Sequence, residues 1–237
     1  WGSRQVWMGH AAVTDISRRR HWADERFARG ALGLAGAETT PLRIWLEDWQ
    51  LGVRNDGQPW RVEFSSDEFS VELDLDPLKP PLLQGEQGLS QKSASPGNAS
   101  YYYSLPRLAS QGQLTIDGAS LPVAGLSWLD REWSTSALGP DQAGWDWFSI
   151  QLEDGRDLMY YQLRRNDGSA DPHSGGSLSG PDGSQQRLLA ADVTLVPEQW
   201  WTGPDGSRYP IGWDLTLKAS GERMRVRTPV EDQLMAM

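Results

Sequence analysis

The chain has 237 residues, with 13 Trp, 6 Tyr, 4 Phe, 25 Gly, 15 Pro and no Cys. Hydrophobic residues at 38% against charged residues at 23% give a composition that folds around its own core, and the length suits one large or two small domains. The absence of Cys excludes disulfide scaffolds, thiolate metal sites, iron–sulfur ligation and thiol catalysis, and a formal net charge of -10 argues against a nucleic-acid partner.

No apolar run approaches the ~20 residues of a transmembrane helix. The chain opens on Trp1-Gly2-Ser3-Arg4 without a leader, as expected of a processed or partial chain. Val6–Thr14 is a run of strand length that holds His10 among small residues. Arg18-Arg19-Arg20, beside Asp15 and Asp24, reads as a solvated loop. The stretch Asp24–Ala31 suits a short helix, and Leu42–Leu51 is another run of strand length. Trp60, Val62 and Phe64 alternate with Arg61 and Glu63. Phe69, Val71, Leu73 and Leu75 alternate with Ser70, Glu72, Asp74 and Asp76, the pattern of half-buried strands with a wet outer face.

Pro77–Asn98, with Pro80-Pro81, Gly85 and Gly88, reads as a long loop lying over another part of the molecule. Ser134–Gly144 separates two strand-dense halves. Asp154-Gly155 predicts a two-residue type I′ hairpin that pairs Gln151 with Leu158, Ser149 with Tyr160 and Trp147 with Gln162. That register puts Trp145, Trp147 and Tyr160 on one aromatic and polar face. Asn166–Ser184, rich in Gly, Ser and Asp, reads as an exposed excursion carrying a solvated His173. Period 2 dominates, no helical stripe is sustained, and the prediction is an all-β sandwich or barrel protein.

Chemistry has few places to sit. Three His without a spaced ligand set predict no metal, and no cofactor motif or nucleophile elbow is present. What remains are acids among aromatics. In Trp45-Leu46-Glu47-Asp48-Trp49, one continuous strand would put Glu47 on the face of Trp45 and Trp49. In Trp128-Leu129-Asp130-Arg131-Glu132-Trp133, Asp130 falls with Trp128, and Arg131 with Trp133. A carboxyl beside indoles in a dry cavity has a raised pKa and can act as a general acid. The competing reading is a buried Arg–carboxylate network that orients strands.

Several segments together resemble the AttH/carotenoid 1,2-hydratase-like family: His10-Ala11-Ala12-Val13-Thr14-Asp15, Glu25-Arg26-Phe27, Trp45-Leu46-Glu47-Asp48-Trp49, Ser100-Tyr101-Tyr102-Tyr103-Ser104, Trp128 to Trp133, and Gly144-Trp145-Asp146-Trp147-Phe148. The resemblance implies two consecutive lipocalin-like β-barrels, at residues 1–138 and 139–237, with further strands expected upstream and downstream of this chain. It also implies export to the periplasm, the outer membrane or the medium, often as a lipoprotein, with ABC transporter components as partners. Some relatives are described as predicted secreted hydrolases. One branch hydrates an isolated C=C bond by protonation and addition of water to the carbocation, a chemistry suited to an aromatic tunnel.

That branch has a His-x-Trp motif where this chain has Arg131-Glu132-Trp133, and a Tyr-x-Asp motif whose nearest match here is Tyr160-Tyr161-Gln162. Neither Arg nor Gln supplies a proton. The expectation is therefore a binder of an apolar or isoprenoid-like molecule. Its pocket would be lined by Trp45, Trp49, Tyr102, Trp133, Trp145, Trp147, Tyr160 and His10, with Glu47, Asp130 and Arg131 as polar anchors. The alternatives are a hydro-lyase or hydrolase using Asp130, Glu132 or Glu47 as general acid, and a carbohydrate-processing protein with Trp platforms.

Overall fold

The computed structural model describes residues 5–53, 60–134 and 138–235. Among them every regular element is an antiparallel strand, apart from one 3-10 turn at Ala190–Asp192. The period-2 segments become strands because each buries one row of side chains and wets the other.

β1 (Val6–Asp15) and β2 (Arg20–Arg29) form a hairpin. Asp24–Ala31 is therefore strand and not helix for most of its length. Its small and polar residues alternate across β2, and Trp22 on that strand is buried against Trp49, Phe69 and Ile116. The hairpin comes so close to the next sheet that a Cβ on Gly9 would lie 2.8 Å from Leu46 Cδ2.

That sheet has nine strands: β3 (Ala35–Thr39), β4 (Leu42–Leu46), β5 (Trp49–Val53), β6 (Trp60–Ser65), β7 (Phe69–Pro77), β8 (Leu82–Leu83), β9 (Leu89–Gln91), β10 (Ala99–Ile116) and β11 (Ala119–Ser134). The run Leu42–Leu51 is two strands, because the chain reverses at Glu47-Asp48, where Glu47 adopts φ +59. The loop Pro77–Asn98 is partly ordered as β8 and β9, which pair with the first third of β10. The rest of β10 pairs with β7, and a bulge at Pro106-Arg107 separates the two regions on the β11 side.

β12 (Gln142–Gln151), β13 (Asp157–Arg165), β14 (Gly175–Ser179) and β15 (Gln185–Leu189) form a third sheet, and β16 (Val193–Thr202), β17 (Arg208–Leu217) and β18 (Glu222–Arg227) a fourth. Phe148, Leu158 and Tyr160 meet Leu195, Leu215 and Leu217 in the core between these two sheets. The expected excursion Asn166–Ser184 contains β14, whose Gly175, Gly176 and Ser177 are buried between β13 and β15. Small residues are needed there because a Cβ on Gly176 would collide with the Met159 carbonyl. His173 is half-buried and bonded to Asp171.

The Asp154-Gly155 hairpin forms with a different loop. Leu152 N–H bonds to the Arg156 carbonyl, and Gly155 N–H to the Leu152 carbonyl, with Gly155 at φ +85. This is a three-residue loop with a left-handed glycine, and it shifts the ladder by one residue: Gln151 pairs with Asp157, Phe148 with Tyr160 and Trp147 with Tyr161. A one-residue slip exchanges faces. Tyr160 goes to the core and Tyr161 to the face of Trp145 and Trp147.

Polar side chains join β8–β10 to the third sheet. Asp157, fully buried, accepts Lys79 Nζ at 2.6 Å and Arg107 Nη2 at 2.7 Å. The β10 bulge turns Arg107 to that position, where Arg107 also donates to the Leu152 carbonyl at 3.0 Å. Gln84 bridges Ser104 and Ser177 at 2.9 and 2.8 Å, and Gln151 donates to the carbonyls of Pro106 and Ser127.

Candidate ligand-binding site

The first third of β10 and the end of β11 are long enough to project beyond β7 and face β12 and β13. On that face alternation presents Ser100, Tyr102 and Ser104 beside Asp130 and Glu132. The opposing face presents Trp145, Trp147, Tyr161 and Leu163. Between them lies a pocket of about 240 Å3, lined by Lys92, Tyr102, Glu132, Ser134, Leu138, Trp145, Trp147, Tyr161 and Leu163. Its mixture of mostly apolar walls and a few polar groups is that of a small-molecule site.

The polar groups are tied to one another. Trp147 Nε1 donates to the Tyr102 hydroxyl at 3.1 Å. Lys92 Nζ lies 2.9 Å from Glu132 Oε1, which also accepts Ser100 Oγ at 2.5 Å. The same ammonium sits 4.2 Å from the Tyr161 ring centre and 5.3 Å from that of Tyr102, so the aromatic faces already hold a cation. Tyr161 OH is fixed by Ser90 Oγ at 2.9 Å.

Behind Tyr102 stands Asp130, which accepts from Ser104 Oγ and from Trp128 Nε1 at 3.0 Å. Burial raises the Asp130 pKa, the neutral donors Ser104, Trp128 and Tyr102 pull it back in part, and the charge of Glu132 raises it further. Burial also raises the Tyr102 phenol, reinforced by the Asp130 charge.

Of the residues expected at one site, Tyr102, Glu132, Trp145 and Trp147 line the pocket and Asp130 adjoins it. The others do not join them. Arg131 and Trp133 alternate onto the opposite face of β11, where Arg131 stacks on Trp133 at 5.4 Å and Trp133 meets Tyr103. Tyr160 faces the core of the third and fourth sheets. Trp45 packs beside Arg43 and bonds the Gly33 carbonyl. Trp49 is buried under the β1–β2 hairpin and bonds the Ser65 carbonyl at 2.7 Å. Glu47, in the exposed turn before it, lies 3.5 Å from Arg26, which stacks on Trp49. His10 is 3.5 Å from Glu25 and edge-on to Phe27.

Lys92, Leu138, Tyr161 and Leu163 had no sequence signal as site residues. Lys92 follows a three-residue strand too short for periodicity, and Tyr161 depends on the hairpin register.

An all-β protein with a closely bonded aromatic pocket between its sheets is the class that the fold and site define. The chain belongs to the AttH-like family, whose model matches residues 1–237. Among solved structures, a protein assigned as AttH from Nitrosomonas europaea is 31% identical with a TM-score of 0.87, over 98% of this chain and 72% of that one. Kievitone hydratase from Nectria haematococca has a TM-score of 0.76 at 16% identity, over 95% of this chain and 68% of that one, a likeness of fold. A curated kievitone hydratase of Fusarium solani subsp. phaseoli is 22% identical over 125 residues, 51% of this chain. The match covers about a third of that relative's length, 35%. Among the described residues no helix is long and apolar enough to cross a membrane.

Proposed function

We propose that the pocket between β10–β11 and β12–β13 binds a small, mostly apolar molecule, with an isoprenoid-like body against Trp147, Tyr161 and Leu163 and a polar end at Lys92–Glu132. The observation that carries this reading is the convergence of these aromatic and apolar walls on one cavity with a single ion pair at its side. Indole and phenol faces contribute contact area, and the fixed Tyr102–Trp147 bond keeps the wall pre-organised. The family resemblance adds export and association with ABC transporter components to the same proposal.

The experiment is a titration with geraniol and farnesol, followed by Trp fluorescence. Saturable quenching in the wild type, weakened about tenfold or more by Trp147→Ala and unchanged by Trp45→Ala, is the expected outcome. Equal curves in all three proteins would refute the assignment.

A second reading is hydration of a C=C bond, favoured by the raised carboxyl of Asp130 behind Tyr102 and by the cation already held over the aromatic faces. Asp130, through the Tyr102 hydroxyl, would supply the proton that forms the C–H bond. Water would then add its oxygen to the resulting carbocation and return a proton to the carboxylate, leaving an alcohol and the acid regenerated. Farnesol in 18O-water is the test. Incorporation of 18O by the wild type, and at least about a hundredfold less by Asp130→Asn, would support hydration. No incorporation above the protein-free rate leaves binding alone.

A further inference from the structure

A smaller cavity lies on the other side of Tyr161. It encloses about 100 Å3, and its lining includes Ser90, Tyr161, His173, Ser174, Gly176 and Arg187. Tyr161 is common to both cavities, and the Ser90–Tyr161 bond closes the wall between them. The volume is that of about three waters at roughly 30 Å3 each.

The groups around it have an unusual charge balance for a chain of net charge -10. His173 Nδ1 lies 2.8 Å from Asp171 Oδ1, so this nitrogen donates and Nε2 is the ring atom left for another partner. Asp171 is already satisfied: Oδ1 accepts the His173 backbone N–H at 2.9 Å, and Oδ2 takes Arg165 Nε at 3.1 Å. Burial would raise Asp171, but these bonds, with a further one from Gln142, outweigh it and hold the carboxyl down at about 2. It is therefore an ionised orienting group with its own cation. Arg187, exposed on β15, has no ion-pair partner among the described residues. One unpaired guanidinium and one imidazole oriented by a neutralised acid thus line a cavity sized for a few atoms.

We propose that this cavity is a subsite for a small anion, a carboxylate or phosphate group held by Arg187 over the Ser90–Tyr161 hydroxyl pair, with the His173 ring beside it. A guanidinium binds such oxyanions through charge-assisted hydrogen bonds, and a hydroxyl adds a neutral donor. The inference stands apart from the apolar pocket, because Tyr161 separates the two.

The test follows the His173 ring by NMR in the whole chain while sodium acetate or inorganic phosphate is added, with sodium chloride at matched ionic strength as control. A saturable shift is expected, with a dissociation constant on the order of 1–10 mM. Arg187→Ala should weaken it about fivefold or more, and this exposed substitution leaves the fold intact by thermal melt. Arg208→Ala, remote from the cavity, should leave it unchanged. Geranic acid serves as a longer carboxylate. Affinity equal to that of acetate identifies a free anion, and a gain of about tenfold identifies the head of a longer ligand. Absence of a saturable shift, an equal shift with chloride, or an unchanged constant in Arg187→Ala would overturn the proposal.

Discussion

Two carboxyl groups on the same seam, Asp157 fully buried and Asp130 half-buried, are surrounded in opposite ways. Asp157 is bracketed by two cations, Lys79 and Arg107, which also bind the carbonyls of Gly155 and Leu152. Asp130 receives only neutral donors, a serine hydroxyl and an indole N–H, with a phenol nearby. Lys79 and Arg107 each bind one oxygen of Asp157 and make it a joint between β10 and β13. Neutral donors leave the carboxyl raised and able to change protonation where chemistry needs it. The kind of partner therefore separates an acid that holds the fold from one that can act in a pocket.

The largest effect should come from breaking the joint. Asp157→Asn leaves two buried cations without a counter-charge and should cost about 3–5 kcal/mol in denaturant unfolding. A loss below about 1 kcal/mol would erase the distinction between the two acids. Asp171 extends the comparison, since its hydrogen bonds and Arg165 hold it at about 2 against an ordinary 3.8. A lowered native value contributes stability above the unfolded value and loses it as pH falls. Between about pH 4 and pH 2 the wild type should lose about 2 kcal/mol more than Asp171→Asn, beyond the loss from other carboxyls that both proteins share.

Tyr102→Phe removes the acceptor of the Trp147 indole N–H and should cost about 1–2 kcal/mol in thermal unfolding. Asp130→Asn should act more mildly, on a slope. Because Asp130 is raised in the native state, its stabilising effect belongs to the protonated form, at pH below the unfolded value, and disappears as pH rises through the native value. Relative to the variant, the wild type should lose stability across that window. Parallel pH profiles would contradict a raised Asp130. Smallest of all, Glu47→Gln in its exposed turn should change stability by less than about 0.5 kcal/mol.

Much of this architecture was legible in the residues. Alternation in Trp60–Ser65 and Phe69–Pro77 gave the strands, and alternation in Trp128–Trp133 put Asp130 with Trp128 and Arg131 with Trp133, although the expected pocket joined all of Asp130, Arg131 and Trp133. The site was less legible. Asp154-Gly155 fits both a two-residue and a three-residue loop, and only the packing of Tyr160 against Leu215 and Leu217 chooses the register that turns Tyr161 to the pocket. Trp45 and Trp49 carry the same acid–indole pattern as the pocket strands, yet a reversal between them sends one to the Gly33 carbonyl beside Arg43 and the other under a hairpin. Lys92 reaches Glu132 across a tertiary contact that no local spacing encodes.

The central claim is that the ligand lies between β10–β11 and β12–β13. A prenyl alcohol carrying a diazirine, photolysed with the protein and mapped by mass spectrometry, tests it most directly. Labels are predicted on peptides containing Tyr102, Trp147 and Tyr161, with labelling reduced by competing farnesol. Labels confined to peptides of Trp45, Trp49 or Trp133 would contradict the account.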